Sequence, residues 1–308
     1  MTFLLLAAGF VLLMTAARNQ QSWARVAPRM RACCLRVSLA GAVVFVYLAL
    51  GLLAVPAALA MVPASALTAS CRRLLAGLDP GGERAAWCAV SLIFVSIVAV
   101  VIAVLRSRRA TKQLRVESGV GDHESVAGFD VVTLPTTIPV AYSLGGRSRQ
   151  IVLSAGLRDR LDAEGVAAVV AHEAAHVRAG HDRWLLLARL LGDALWFLPW
   201  TTSVIGALHL SLERWADEEA ARDVGRGVLR TALLAAVDIG PAPAHAAGLS
   251  GAGTALAERV AMLSAGPPID GALPRFALRS LIVAAIAAGA GFTGLATVLV
   301  ALSRLCTT

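Results

Sequence analysis

Four long runs of uncharged, apolar residues constrain this chain more strongly than any other feature. They cover residues 2–17, 37–62, 85–105 and 281–303. An α-helix rises about 1.5 Å per residue, so roughly 20 apolar residues cross a hydrocarbon core of about 30 Å. The last three runs are long enough to span a membrane, and the first is slightly short. A mean hydropathy of +0.72 also exceeds that of a soluble domain. We therefore predict a mainly α, multi-pass membrane protein with four transmembrane helices.

The first run, residues 2–17, also fits a cleavable signal peptide. A signal peptide begins with a basic segment, whereas no basic residue precedes this run and Arg18 follows it. We favour a membrane anchor that is retained.

Basic residues beside the apolar runs predict how the chain is oriented. The net charge of +8 comes almost entirely from arginine, since Lys112 is the only lysine. Arginines cluster between the first two runs and directly after the third. The segment between the second and third runs has nearly equal numbers of basic and acidic residues. Basic loops stay on the cytoplasmic side, so residues 106–279 are predicted to be cytoplasmic at the cell membrane, with both tails outside. Nucleic-acid binding would require basic and aromatic residues interleaved on one face, so no direct contact with nucleic acid is expected.

The chain is thus predicted to contain three parts. Residues 1–105 hold three transmembrane helices, residues 106–279 form one cytoplasmic domain, and residues 280–308 hold the fourth helix and a short outer tail. Within the domain, short runs bounded by turn residues predict strands at Phe129–Leu134, Ile138–Leu144 and Gln150–Leu153. A capping residue at Asp162 and a stop at Gly180 predict a helix over 163–179. Further helices are predicted over 208–223 and 254–264.

The predicted helix over 163–179 carries a metal-binding pattern. Its residues His172, Glu173 and His176 form H-E-x-x-H, and residues four apart share one helix face, so both imidazoles can bind one zinc ion. Glu173 then lies where it can take a proton from a zinc-bound water, whose pKa is about 7. Two histidines on a polar helix face are the alternative, but the flanking residues are small and apolar, as suits a buried active-site helix.

A third ligand is required, because catalytic zinc keeps three protein ligands and one open position. Glu213 and Asp217 lie one helical turn apart later in the chain and share a face. We predict that Glu213 is this ligand and that Asp217 holds the far ring nitrogen of a zinc-bound histidine. A solvated acidic helix face is the commoner reading of such residues, but this E-x-x-A-D arrangement after H-E-x-x-H is much rarer.

Another apolar run, 184–209, lies between the two motifs. A single crossing would put His172 and Glu213 on opposite sides of the bilayer, although zinc ligands must lie within about 2 Å of the metal. Two crossings would need roughly forty residues. Three residues unfavourable in lipid interrupt the run: Arg189, Asp193 and Pro199. We predict a hairpin that dips into the lipid interface. Its aromatic anchor would consist of Trp184, Trp196 and Trp200.

These segments resemble the BlaR/MecR family of membrane zinc peptidases, in particular its short actinobacterial type. The resemblance covers about residues 130–265 and agrees with the placement of four spans. The matching stretches are Ile151–Leu157, the helix with His172, Glu173 and His176, His181-Asp182, Trp196–Trp200, Glu213–Arg222, Glu258–Val260 and Met262-Leu263.

The resemblance implies a cytoplasmic α+β zincin-like peptidase domain with bound Zn²⁺ that cleaves a cytoplasmic protein. In that family the substrate is a winged-helix transcriptional repressor of the BlaI/MecI type. One departure concerns the sensor. The antibiotic receptors of the family carry a penicillin-binding domain after the last span, whereas only residues 304–308 follow here. We expect the stimulus to arrive through the membrane or a membrane sensor partner.

Two other functions remain open. One is a quality-control or processing peptidase of the HtpX or CAAX type, which shares the H-E-x-x-H and E-x-x-x-D elements but usually has two further spans before the glutamate helix. The other is a non-catalytic membrane receptor that keeps a peptidase fold. Loss of Glu173 or of a ligand would mark the latter, and none is lost.

The remaining histidines and the cysteines carry weaker expectations. His181 could support the site but is better explained as capping the end of its helix, and three histidines are predicted at loops or the surface: His123, His209 and His245. No C-x-x-C pair occurs among the five cysteines, which argues against a thiolate metal site. Cys71 and Cys88 fall on the predicted outer side and could form a disulfide.

Overall fold

The computed structural model of the 308-residue chain consists mainly of helices. It describes residues 2–18, 26–61, 82–126, 128–145, 149–237 and 252–267, together with Ile282 and Ile286. The N-terminal helices are α1 (Thr2–Arg18), α2 (Pro28–Ala60) and α3 (Gly82–Ser118). The strands are β1 (Asp122–Val126), β2 (Phe129–Leu134), β3 (Ala141–Leu144) and β4 (Gln150–Ser154). The later helices are α4 (Ala155–Arg158), α5 (Ala163–Ala179), α6 (His181–Ala194), α7 (Thr201–Val224), α8 (Arg226–Val237) and α9 (Ala252–Ser264).

Two of the described helices, α2 and α3, are long and apolar enough to cross a membrane, and α1 is a shorter apolar helix. Both long helices extend beyond the predicted runs into Arg-rich sequence, because nothing there breaks a helix. Large side chains on α3 such as Phe94, Ile97 and Val101 are half or more exposed. Such an apolar surface suits contact with lipid. The predicted fourth span, 281–303, lies outside the described residues apart from Ile282 and Ile286.

Helix α1 packs closely along α2. Leu5, Leu12 and Leu13 are buried in this contact. A Cβ added to Gly9 would lie 2.9 Å from Cγ2 of Val46, so only glycine allows the two helices to approach this far. Whether α1 is retained in the mature protein stays a prediction.

The four strands form one mixed sheet in the order β1-β2-β4-β3. Strands β2 and β4 pair in parallel, and the other two pairs are antiparallel, so β1 and β3 are the edge strands. The predicted strand Ile138–Leu144 is wrong at its start. It begins only at Ala141, since Pro139 has no N–H to donate to a strand partner. Strand β1 was not expected from the sequence, because its side chains are polar and mostly exposed.

Helix α5 has the predicted ends. The Asp162 carboxylate accepts a hydrogen bond from the Gly165 N–H at 2.8 Å, and Gly180 closes the helix with a φ of 64°, a left-handed conformation that glycine adopts freely. Val166, Val170 and Ala174 on one side of α5 pack against the apolar core of the sheet. The sheet therefore fixes the helix that carries H-E-x-x-H.

Helices α6 and α7 form an antiparallel hairpin that packs against α1 and α2. The predicted helix over 208–223 is therefore longer, because α7 begins at the hairpin turn. The Tyr47 hydroxyl of α2 donates to the Ala194 carbonyl at 2.6 Å, and the rings of Phe10 and Trp200 lie 4.8 Å apart. The tip thus lies level with Tyr47, inside the second apolar run. Its depth in a membrane stays a prediction.

Candidate active site

Helix α5 brings His172 and His176 together on one face. Their ring centroids lie 4.8 Å apart, and their Nε2 atoms are 3.1 Å apart. Both rings are largely buried. The spacing of four residues thus has the predicted effect of directing two imidazole nitrogens to one point.

Helix α7 crosses α5 and brings Glu213 to the same point. One Glu213 carboxylate oxygen lies 3.5 Å from His172 Nε2, and the other lies 3.5 Å from His176 Nε2. Ligands about 2.1 Å from a tetrahedral zinc ion are about 3.4 Å apart. Each Nε2 atom lies about this far from the other Nε2 atom and from one Glu213 oxygen, and one ligand atom from each residue lies within 4.8 Å of the others. Among the described residues, these three side chains form a group that could hold a metal ion.

The opposite ring nitrogen of His172 faces Asp217. Its Nδ1 lies 3.0 Å from Asp217 Oδ1, the distance expected for a carboxylate that orients a metal-binding histidine. Asp217 is itself held by Arg259 of α9, whose Nε and Nη2 donate to the two carboxylate oxygens at 2.7 Å each. The third guanidinium nitrogen, Nη1, lies 2.9 Å from Glu213. Helix α9 therefore fixes both carboxylates of α7.

His181 does not cap a helix end, contrary to the expectation. The capping residue of α5 is Gly180, and His181 begins α6, where it is fully buried. Its Nδ1 lies 2.9 Å from Nδ1 of His176, and its ring lies 4.8 Å from the Trp215 indole. His181 therefore belongs to the site.

Glu173 lies on α5 next to the cluster and close to the edge strand. Ser143 of β3 lies close enough to its carboxylate to oppose a rise in its pKa. Burial, followed by repulsion from Glu213, outweighs the favourable charge of His172 and raises the pKa of Glu173. A glutamate with a raised pKa is suited to exchanging protons near neutral pH.

Burial and neighbouring charges shift the pKa values of the clustered residues in different directions. Burial opposes the protonation of His172, but Asp217 and Glu213 outweigh it and raise its pKa to about 10. Burial and the neighbouring positive charges lower the pKa of His176 to about 4 and that of His181 to about 3. Burial likewise disfavours ionised Glu213, yet Arg259 and His176 hold its pKa well below the usual range.

Zinc fits this charge pattern. Three carboxylates surround Arg259, namely Glu173, Glu213 and Asp217. When ionised they leave an excess of two negative charges, which a divalent cation would balance. The donor set of two imidazoles and a carboxylate is one that zinc prefers.

The remaining histidines and the predicted cysteine pair lie outside the cluster or outside the described residues. His123 is on exposed β1 and pairs with Asp130 at 2.9 Å, as a surface residue would. His209 was expected at a loop or the surface, but it lies within α7 and is half-buried. His245 and Cys71 lie outside the described residues, so the pairing of Cys71 with exposed Cys88 stays a prediction.

Sequence reasoning gave Arg259 and Ser143 no role in the site, and it favoured helix capping over a supporting role for His181. Arg259 and Ser143 come from segments far from the motifs, and only the fold brings them there. His181 did carry a signal, since a histidine just past the glycine that ends an H-E-x-x-H helix remains close to that helix.

The H-E-x-x-H helix packs on a mixed sheet, and the following helical hairpin supplies a glutamate to the same point. This arrangement is typical of metallopeptidases. The model of peptidase family M48 matches residues 82–251, more than half of the chain, and the chain belongs to that family. No curated protein and no solved structure with which the chain was compared gives a match. The family model covers the sheet, α5 and α7 and ends before α9.

Proposed function

We propose that this protein is a membrane zinc endopeptidase in which His172, His176 and Glu213 hold the metal and Glu173 is the catalytic base. The observation that carries the proposal is the convergence of the three side chains. The two Nε2 atoms lie 3.1 Å apart, and each lies 3.5 Å from one oxygen of the Glu213 carboxylate. Retention of Glu173 and all three ligands argues against a non-catalytic receptor.

The chain's own residues would divide the chemistry between them. Zinc, when bound, would polarise the scissile carbonyl and acidify the attacking water. Glu173 accepts the proton of that water at its carboxylate and returns it to the leaving amine. Ser143 lies beside this carboxylate and would favour its ionised form. Asp217 holds the ring of His172, and Arg259 holds Asp217.

The substrate is proposed to bind along β3. This strand pairs only with β4 within the described sheet, so its other side has free backbone donors and acceptors. An extended peptide can add to such an edge as a further strand. Because β3 packs against helix α5 and Ser143 lies near Glu173, a peptide on this edge would run past the metal.

We further propose that the substrate is a cytoplasmic winged-helix repressor. Two considerations support this: the basic segments that orient residues 106–279 towards the cytoplasm, and the resemblance to the BlaR/MecR family over about residues 130–265. The role would then be regulatory, since cleavage of a repressor changes transcription.

A second candidate substrate is a membrane protein, as for a peptidase of the HtpX or CAAX type. The favouring observation is the short distance between the site and α2. Arg31 of α2 lies 3.7 Å from Glu258, and the next residue, Arg259, contacts Glu213. A scissile bond close to the membrane surface would reach this site easily.

The test uses Glu173→Gln with Glu164→Gln as the matched control. Glu164 is exposed in the first turn of the same helix, so its substitution removes a charge but leaves the site intact. Each form is co-expressed with a candidate repressor, and the intact repressor is followed by immunoblot. We expect cleavage with the wild type and Glu164→Gln and none with Glu173→Gln, while all three keep zinc.

The outcomes separate the alternatives. Cleavage by Glu173→Gln at the wild-type rate would exclude Glu173 as the base. If the repressor stays intact with all forms under every inducing stress tried, that candidate is not the substrate. If a proteome survey shows only membrane proteins accumulating with Glu173→Gln, the quality-control function is correct.

A further inference from the structure

The two histidines of the H-E-x-x-H helix have different partners at the ring nitrogen that faces away from the cluster. The far nitrogen of His172 faces a carboxylate, Asp217, at 3.0 Å. The far nitrogen of His176 faces Nδ1 of His181 at 2.9 Å. A metal-binding histidine almost always donates its other N–H to such a partner, which fixes both its tautomer and the orientation of its ring. Only the partner of His172 was expected from the sequence.

The geometry determines which imidazole donates. Nε2 of His176 points to the cluster formed with His172 and Glu213, so in the metal-binding form this nitrogen carries no proton. Its proton is then on Nδ1, which can donate to an acceptor. Nδ1 of His181 lies within hydrogen-bonding distance and must accept. His181 in turn carries its own proton on Nε2.

A purely structural role explains His181 poorly. Its ring is fully buried, and its Nε2 has no hydrogen-bond partner among the described residues. An unpaired buried polar group costs free energy that an apolar side chain of similar size would avoid. The Trp215 ring beside it could pack equally well against leucine. The contact with His176 is the interaction that an apolar residue cannot reproduce.

We propose that His181 is a positioning residue that accepts a hydrogen bond from Nδ1 of His176 and thereby directs Nε2 of that ring at the metal. The inference rests on the proposed zinc site. His181 belongs to a different helix, α6, so residues on both sides of Gly180 contribute to the site.

The test compares zinc affinity in His181→Leu and His181→Asn, measured by competition with a chelator. Leucine keeps the apolar volume but cannot accept a hydrogen bond. The Asn side-chain oxygen can occupy nearly the same place as Nδ1 of histidine and can accept. Loss of such a partner typically weakens metal binding about 10–100-fold, so we expect this loss for leucine and recovery of most of it for asparagine.

A spectroscopic measurement accompanies the affinities. In the cobalt-substituted protein, we expect the visible absorption bands to shift in His181→Leu and to return towards the wild-type spectrum in His181→Asn. His123→Leu is the control, because His123 lies on the exposed face of β1 and should change neither quantity. Thermal melting of every variant establishes that it is folded.

The wild-type protein offers an independent measurement if His181→Leu does not fold. ¹⁵N-histidine NMR of the zinc-bound form should show His181 protonated at Nε2 and unprotonated at Nδ1. A His181 protonated at Nδ1 would contradict the inference, as would equal zinc affinity in the leucine variant and the wild type. A wild-type protein that binds no zinc would instead refute the proposed function itself.

Discussion

Glu213 is the residue on which the metal site depends most, because it contacts both histidines from a separate helix. We predict that Glu213→Ala loses its zinc, since two imidazoles alone leave the coordination incomplete. Elemental analysis of the purified protein would measure this directly. Glu219→Ala is the control, because Glu219 lies on the same helix and only pairs with Arg222. Zinc that stays at one ion per chain in Glu213→Ala would show that another residue is the third ligand.

Arg259 holds two carboxylates that would otherwise repel each other. We predict that Arg259→Ala destabilises the metal-free protein by about 3–5 kcal/mol, because it leaves Asp217 buried without its partner. Thermal or denaturant unfolding in detergent would give the difference. Arg222→Ala should change stability by less than about 0.5 kcal/mol, because this exposed residue pairs only with Glu219. Equal effects of the two substitutions on stability would show that Arg259 does not stabilise the buried Asp217 carboxylate.

At this scale the sequence predicted the residues that follow from helical spacing. His172 and His176, and Glu213 and Asp217, are each four apart, and a helix alone determines which face they share. Arg259 and Ser143 could not be predicted in the same way. Their roles depend on which helices and strands pack together, and local spacing holds no information on that.

The helical hairpin is the element that joins the site to the N-terminal apolar helices. Ala194 is the last residue of α6, so its carbonyl lacks a partner within the helix, and the Tyr47 hydroxyl supplies one. We predict that Tyr47→Phe, which keeps the ring, destabilises the protein by about 1 kcal/mol. Thermal unfolding would measure it. Because the ring remains, an unchanged melting temperature would mean that the hydroxyl does not hold the hairpin.

Elements with strong local signals were predicted well, and those stabilised by their neighbours were not. Asp162 and Gly180 mark the ends of α5 because capping depends on a few adjacent residues. Strand β1 has a polar sequence and forms only because β2 offers an edge to pair with. Helix α7 extends back to Thr201 because the hairpin turn, rather than a cap in the sequence, determines where it begins.

For the molecule as a whole, the orientation in the membrane can be tested with single cysteines. Glu83 at the start of α3 and Val120 just beyond its end are both exposed, and the apolar run 85–105 separates them. In a cysteine-free background, we predict that Glu83→Cys in intact cells reacts with a membrane-impermeant maleimide and that Val120→Cys reacts only after lysis. The reverse pattern would place the active site outside.

Helix α9 carries two adjacent side chains, Glu258 and Arg259, that contact different parts of the molecule. Glu258 lies within 4 Å of Arg31 on α2 and of Arg214 on α7, while Arg259 holds the carboxylates of the site. Because these two residues are adjacent on one turn of α9, a displacement of α2 that moved Glu258 would also move Arg259 relative to Glu213 and Asp217. The position of α2 and the geometry of the site are therefore linked through a single helical turn.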